Sequence, residues 1–172
     1  MLFKDKNVLV TGAAGIIGSR LSENLAKEGA NLILLDRDEN KLNEVALKVR
    51  RKFDVVSEPY TVDLTSEKDL TMTLEEIEEK FQTIDVLYSN AAGKTNDLKE
   101  FFSPYSEFKM ETWREVMEIN LNSMFYLTKV VGKNMIKNKI KGSIVMTSSI
   151  YGIVGVDDRI YEGSRYLDYK IN

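Results

Sequence analysis

The chain has 172 residues, of which 43% are hydrophobic and 30% charged, with a formal net charge of −3, and this size suits a single domain with its own core. It contains neither cysteine nor histidine, which excludes a thiol nucleophile, a Ser-His triad, a disulfide and a histidine-ligated metal site, and we predict no metal. Acidic and basic residues are interleaved, so neither nucleic acid nor a membrane is a predicted partner.

The first third of the chain alternates short apolar runs with segments of helical periodicity. Residues 7–10 form an apolar run that ends at a glycine-rich turn, and apolar residues at helical spacing follow as far as Gly29. Residues 31–36 form a continuous apolar run closed by an acid, which is typical of a strand buried on both faces of a parallel sheet. A second helix and a third strand, between residues 55 and 62, are predicted next.

The middle of the chain continues this alternation. Leu70, Leu74, Ile77 and Phe81 recur at spacings of four, three and four, as a helix with one face on the core requires. Residues 84–88 are the fourth predicted strand. A polar loop that contains several aromatic residues is predicted to follow, from residue 94 to 109.

The last part of the chain is predicted to hold one long helix, from residue 111 to 139, and a fifth strand at 143–147. Strands that alternate with helices at this spacing pair in parallel through right-handed crossovers. The predicted fold class is therefore α/β, a doubly wound parallel sheet of the Rossmann type with three α/β/α layers. Residues 1–172 are predicted to form one nucleotide-binding domain.

A glycine-rich turn separates the first strand from the first helix and reads TGAAGIIG over residues 11–18. In this context Gly12 makes the tight turn, Gly15 lets the backbone approach a pyrophosphate, and Gly18 allows close packing of the helix. We predict that these glycines, together with Ile17, bind a dinucleotide. Glycines that serve turn geometry alone are the alternative.

Asp36 ends the second strand about twenty residues after the glycine turn, where a carboxylate can accept hydrogen bonds from both ribose hydroxyls of an adenosine. This favours NAD over NADP, because the carboxylate repels a 2′-phosphate. Arg37 is the neighbouring group that can accommodate such a phosphate, so NADP is the less favoured cofactor. The alternative for Asp36 is a plain cap of the second helix.

Two further segments follow predicted strands, Asp63-Leu64-Thr65 and Asn90-Ala91-Ala92-Gly93. With the glycine turn, they resemble in order and spacing the short-chain dehydrogenase/reductase family, in its single-domain branch. The resemblance implies that Asp63 and Leu64 contact the adenine, and that residues 90–93 steady the sheet beside the cofactor. It implies an NAD(P)-dependent oxidoreductase that acts on a secondary alcohol or ketone, with a sugar-like substrate among the candidates.

The same resemblance implies two catalytic residues. Asn120, in the long helix, resembles the family's asparagine of a proton relay, and its alternative role is that of a polar residue that kinks the helix. Ser149, in the segment 142–152, resembles the serine that hydrogen-bonds the substrate oxygen, with Ser148 beside it as a strand-end partner of backbone groups.

The family also uses a tyrosine as acid or base, with a lysine four residues later that lowers the tyrosine pKa from its ordinary value of about 10. Among the tyrosines that follow Ser149, only Tyr166 has a lysine, Lys170, at that spacing, and Tyr161 has Arg165. The segment before Tyr166 resembles an insertion that precedes this pair in some members. We therefore expect the pair to lie beyond Asn172, in a chain shortened at its C-terminus, and Tyr166 with Lys170 is the alternative.

Further expectations concern assembly, location and function class. The apolar face of the long helix and an open edge on strand five predict a homo-oligomer, and the absence of a targeting signature predicts a cytoplasmic protein. A nucleotide-binding module without catalysis is one alternative. A sugar-nucleotide-modifying enzyme of the family's longer branch is another, suggested only by the spacing of the glycines.

Overall fold

A computed structural model describes residues 1–155 and 157–170 and contains the predicted doubly wound sheet. Five parallel strands lie in the order β3-β2-β1-β4-β5. Their bounds are β1 Asn7–Thr11, β2 Asn31–Asp36, β3 Ser57–Thr61, β4 Val86–Ser89 and β5 Ser143–Met146. The chain runs outward from β1 to β3 and then returns to the other side of β1, so the strand order reverses between β1 and β4. Such a switch point is where open α/β sheets bind ligands.

Helices cover both faces of the sheet. Helix α1 (Ile16–Lys27) and helix α2 (Glu39–Lys52) pack on one face, where alternate residues of β1 and β2 meet them in a buried apolar cluster. Helix α3 (Glu67–Phe81) packs on the other face together with the long helix that precedes β5. The apolar runs of β1 and β2 thus supply both clusters, which is why they are continuous rather than alternating. The predicted three-layer α/β/α fold is confirmed.

The helices α1 and α2 are also joined by a charged contact. Glu23 of α1 pairs with Lys48 at 2.7 Å and with Lys52, both on α2. The hydrogen bond from Lys48, followed by that from Lys52, lowers the pKa of Glu23 to about 2. Both lysine side chains are more than half exposed, so these ion pairs add only a little to the apolar packing of α1 and α2.

Two details differ from the sequence-based expectations. The segment predicted as a loop from 94 to 109 contains a short helix α4 (Leu98–Phe101), because the Asp97 side chain accepts the amides of Lys99 and Glu100 and caps it. A single 3₁₀ turn (Tyr105–Glu107) follows.

The predicted single long helix is interrupted in the middle. Helix α5 (Met110–Met117) passes through a π-helical turn (Glu118–Asn122) into helix α6 (Ser123–Lys137). Asn120 lies within that turn. A π turn inside a helix is commonly found at a functional site.

The chain after β5 makes only short elements. Two 3₁₀ turns (Ile150–Gly152 and Asp158–Tyr161) lead to a small antiparallel hairpin of β6 (Arg165–Tyr166) and β7 (Tyr169–Lys170). Within residues 1–155 and 157–170, no strand pairs with the outer edge of β5. None of the helices in these ranges has the length and apolar composition to cross a bilayer.

Candidate nucleotide-binding and active site

A groove runs along the carboxyl ends of the strands, across the point where the strand order reverses. It consists of two adjoining cavities: the glycine-turn half, which contains Gly15, and the Leu64 half, which contains Leu64. The two halves share Gly12, Asp36, Arg37, Ala91 and Ala92. The predicted site residues that line the groove are Gly12, Gly15, Ile17, Asp36, Arg37, Asp63, Leu64, Asn90, Ala91 and Ala92. The lining also includes residues that the sequence did not single out, namely Ala14, Ile16, Asp38, Lys41, Val62, Lys94, Ile119 and Thr147.

The three glycines of the turn have different roles. Gly12 has a φ of 65°, and a Cβ there would lie 2.9 Å from the Ala91 Cα, so the turn needs glycine to approach the loop after β4. A Cβ on Gly18 would lie 2.1 Å from the Gly12 carbonyl oxygen, which places Gly18 behind the turn rather than in the groove. At Gly15 the same atom would meet only the Gly12 oxygen, at 3.2 Å, and the remaining space opens into the groove.

The amino end of α1 follows directly on Gly15. No side chain caps this end, and the first turn of the helix carries no acidic residue. The backbone N–H groups of an uncapped helix start carry a partial positive charge that favours an anion. The open space at Gly15 and this helix end together fit a phosphate group.

Asp36 faces the turn rather than the helix that follows it. Its Oδ2 accepts the Ala14 N–H at 2.9 Å, and its Oδ1 accepts the Asp38 N–H at 3.1 Å. Asp38 is the residue that caps α2, through the Lys41 N–H at 3.1 Å. The alternative that Asp36 is the helix cap is therefore wrong, and Asp36 contributes a half-buried carboxylate to the groove wall.

The far end of the groove lies beside β3. Asp63 follows this strand and accepts hydrogen bonds from the Thr65 N–H at 2.9 Å and the Thr65 hydroxyl at 2.8 Å, both through Oδ1. Leu64 packs into the apolar cluster beneath the sheet. The segment 63–65 thus forms a tight turn that closes this half of the groove.

Hydrogen bonds join the ends of three strands at the groove. The hydroxyl of buried Thr11 accepts the amides of Asn90 and Ala91, each at 3.0 Å. The Asn90 side chain in turn reaches the Thr11 carbonyl at 3.4 Å and accepts the Thr147 hydroxyl at 3.2 Å. Thr11 was not predicted as a site residue, although a hydroxyl residue at a strand end directly before the glycine turn is the signal that identifies it. These contacts support the role of Asn90 in steadying the sheet.

Asn120 anchors the loop after β4 from the π-helical turn. Its Oδ1 accepts the Gly93 N–H at 3.0 Å, and its Nδ2 donates to the Gly93 carbonyl and the Val116 carbonyl, both at 2.9 Å. In a regular α-helix, the Val116 carbonyl would accept the backbone N–H of residue 120. Here it accepts the Asn120 side chain instead, and the helix widens into the π turn. Gly93 and Asn120 do not line the groove themselves, and they position residues 91 and 92, which do.

We expect the Asn120→Ala variant to lose about 2 kcal/mol of unfolding free energy, because it removes three hydrogen bonds and leaves the backbone of Gly93 without partners. Urea unfolding measures this loss. Asn122→Ala is the matched control: Asn122 lies in the same π turn, but its side chain is exposed and hydrogen-bonds Glu118 on its own helix, so its loss should stay within about 0.5 kcal/mol. Equal losses in the two variants would contradict the anchoring role.

The segment after β5 carries the predicted Ser149. Its exposed hydroxyl accepts the Tyr151 N–H at 3.2 Å and so starts the 3₁₀ turn at 150–152. Ser149 does not line the groove, whereas Thr147, two residues before it, does. The Tyr151 and Tyr161 hydroxyls are 2.6 Å apart, and this hydrogen bond raises the pKa of Tyr151. A raised pKa is the opposite of what a tyrosine base near neutral pH requires.

The alternative acid–base pair, Tyr166 with Lys170, does not have the geometry that it needs. The pair requires a helix, in which residues four apart share one face. Instead, residues 165–170 form the hairpin, in which Tyr166 pairs with Tyr169 and Arg165 pairs with Lys170. Tyr166 rests against the ring of Phe102, with 5.7 Å between the centroids, and beneath the ammonium of Lys94.

Comparison with known proteins identifies the family. The family model described as short chain dehydrogenase matches residues 6–164. The chain belongs to the short-chain dehydrogenase family. An uncharacterized oxidoreductase of Staphylococcus saprophyticus is 31% identical over 98% of this chain and 69% of its own length. The L-rhamnose 1-dehydrogenase (NADP(+)) of Thermoplasma acidophilum is 29% identical over 89% of this chain and 58% of its own length.

Solved structures agree with this assignment. The crystal structure of an NAD+-bound xylitol dehydrogenase superimposes with a TM-score of 0.82 at 32% identity and covers 95% of this chain. The chain in turn covers 61% of that protein. The chain thus spans about 58% to 69% of the length of these three relatives.

Proposed function

We propose that this chain binds a nicotinamide dinucleotide in its groove, and that the whole protein transfers hydride between that cofactor and a secondary alcohol or ketone. The observation that carries the proposal is the open space at Gly15, between the Gly12 carbonyl and the start of α1, which we call the phosphate cradle. Here the glycine turn, an uncapped helix end and the Asp36 carboxylate lie along a groove at the switch point of the sheet. Membership of the short-chain dehydrogenase family supports the type of reaction.

The residues present fit an extended dinucleotide. Gly15 and the amino end of α1 would hold the diphosphate, in space that a side chain would otherwise fill. Asp36 would bind the adenosine ribose, and Asp63 and Leu64 would contact the adenine in the other half of the groove. The nicotinamide, when bound, would supply the hydride acceptor or donor. Ala91 and Ala92 line both halves of the groove.

NAD is the proposed cofactor, in preference to NADP. Asp36 can accept both ribose hydroxyls, and its negative charge repels a 2′-phosphate. Arg37 lines both halves of the groove and is the group that would bind such a phosphate. The two relatives differ in cofactor: the xylitol dehydrogenase is NAD+-bound, and the rhamnose dehydrogenase is named for NADP(+).

The proposed substrates are sugar-like alcohols and ketones, as the names of the rhamnose and xylitol dehydrogenases suggest. Ser149 is proposed to hydrogen-bond the substrate oxygen, and Asn120 to hold the loop that carries the wall of the groove. In residues 1–155 and 157–170 no helix contains a tyrosine with a lysine four residues later. Turnover is therefore proposed for the whole protein, and cofactor binding for this chain. A homo-oligomer and a cytoplasmic location stay predictions.

Calorimetric titration of this chain with NAD, and with NADP in parallel, tests the proposal. We expect saturable NAD binding at micromolar to submillimolar concentration and weaker binding of NADP. The mass of the intact polypeptide, measured on the same sample, shows that the titrated protein is the 172-residue chain. If neither dinucleotide binds, the groove is not a cofactor site.

A further inference from the structure

Lys94 places a positive charge on the wall of the groove, directly after the loop that Asn120 anchors. Its side chain is exposed and lines the glycine-turn half together with Gly15 and Ile17. The Lys94 Nζ lies 3.6 Å from the centroid of the Tyr166 ring. Within the described ranges the ammonium makes no ion pair and no hydrogen bond, so the ring face is its partner there.

The glycine-turn half contains two other cations, Lys41 and Arg37. The Lys41 ammonium pairs with the Asp38 carboxylate at 2.7 Å, and the Asp36 oxygens accept two backbone amides. Arg37 lines both halves of the groove and directly follows Asp36, where the adenosine ribose is proposed to bind. Lys94 is the cation that the loop after β4 contributes to the glycine-turn half.

The proposed phosphate cradle offers no side-chain charge of its own. The lining residues that adjoin Gly15 in the chain, Ala14, Ile16 and Ile17, are apolar, so at the turn itself the attraction comes from the backbone and the start of α1. A dinucleotide diphosphate carries two negative charges. The Lys94 ammonium, which lines the same cavity, is suited to bind it, because lysine acts on phosphate as a flexible point charge.

We propose that the Lys94 ammonium binds the cofactor diphosphate and that, in doing so, it exchanges the Tyr166 ring for phosphate oxygens. The inference rests on the proposed function and extends it to a residue outside the glycine turn. The exchange is favourable, because phosphate oxygens accept the N–H groups of the ammonium in charge-assisted hydrogen bonds, whereas a ring face at an exposed site attracts a cation only weakly. Tyr166 and its hairpin lose this contact when the cofactor binds.

The test compares NAD binding to the wild-type chain and to three variants by calorimetry. Lys94→Met removes the charge and retains much of the side-chain volume, and we expect NAD affinity to fall about tenfold, or about 1.4 kcal/mol. Lys94→Arg keeps the charge and should stay within about threefold of the wild type. Lys99→Met is the matched control, because Lys99 is exposed on α4 and does not line the groove, and it should bind NAD as the wild type does.

Two further readouts identify the phosphate as the bound group. Salt should weaken NAD binding less steeply in Lys94→Met than in the wild type, since one charge contact is missing. Adenosine, which has no phosphate, should bind both proteins equally. Wild-type NAD affinity in Lys94→Met, or an equal loss for adenosine and NAD, would overturn the role of Lys94 and leave the cofactor site in place. A wild-type chain that binds no NAD would instead overturn the proposed function together with this inference.

Discussion

Replacing Gly15 by valine is expected to abolish NAD binding while the chain stays folded. The backbone at Gly15 has φ −74° and ψ 171°, an extended conformation that any residue adopts. The added Cβ meets only the Gly12 oxygen, at 3.2 Å, so the fold needs only a small adjustment. The valine methyl groups then occupy the space proposed for the diphosphate, and we expect affinity to fall at least about 100-fold, or about 2.7 kcal/mol.

Calorimetry with NAD and adenosine, together with the thermal midpoint of unfolding, separates this effect from misfolding. Adenosine should still bind to the folded Gly15→Val variant, because it does not reach the cradle. Gly132→Ala is the control for adding a side chain to a glycine. Gly132 lies on α6, away from the groove, and its Cβ would make an ordinary contact with Ile144 at 3.9 Å. Normal NAD binding by Gly15→Val would mean that the diphosphate does not lie at this turn.

Replacing Asp36 by alanine is expected to lower NAD affinity about 30-fold and to narrow the preference for NAD over NADP. The magnitude corresponds to about 2 kcal/mol, the net contribution of charge-assisted hydrogen bonds to the ribose hydroxyls. NADP should lose less affinity, because the variant no longer repels the 2′-phosphate and still has Arg37. Some stability is lost as well, since the amides of Ala14 and Asp38 lose their acceptor.

The ratio of the NAD and NADP dissociation constants is the decisive measurement, because a purely structural loss would weaken both cofactors alike. Asp85→Ala is the matched control. Asp85 also accepts a backbone amide, that of Asn7 at 3.0 Å, and pairs with Lys6 at 2.8 Å, but it lies at the opposite end of the sheet. The Asp85→Ala variant should lower the free energy of unfolding and leave the ratio of the NAD and NADP dissociation constants unchanged. An unchanged ratio in Asp36→Ala would show that this carboxylate does not select the cofactor.

Features that depend on local sequence were predicted correctly. Strand β2 has the predicted bounds, Asn31–Asp36, because a strand buried on both faces is recognisable as a continuous apolar run. The apolar positions at 70, 74 and 77 face the core as their spacing requires. Residues of the glycine turn and of the segments at strand ends line the groove, and their role in binding a cofactor stays a prediction.

Features that depend on contacts between distant segments could not be predicted from local sequence patterns. The break in the long helix arises because Asn120 bonds the backbone of Gly93, 27 residues earlier in the chain. Whether Asp36 or Asp38 caps α2 was decided by the turn at Ala14, which draws the Asp36 carboxylate toward it.

The sequence by itself determined the parallel α/β architecture, the glycine turn and the acid at the end of β2, because periodicity and turn chemistry act over a few residues. Only the tertiary structure decided that Lys94 and Thr147 line the groove, that Thr11 bonds the loop after β4, and that residues 165–170 form a hairpin rather than a helical Tyr-Lys pair. The physical reason is the strand order: placing β4 beside β1 brings together side chains that are some eighty residues apart, and no local pattern records that contact.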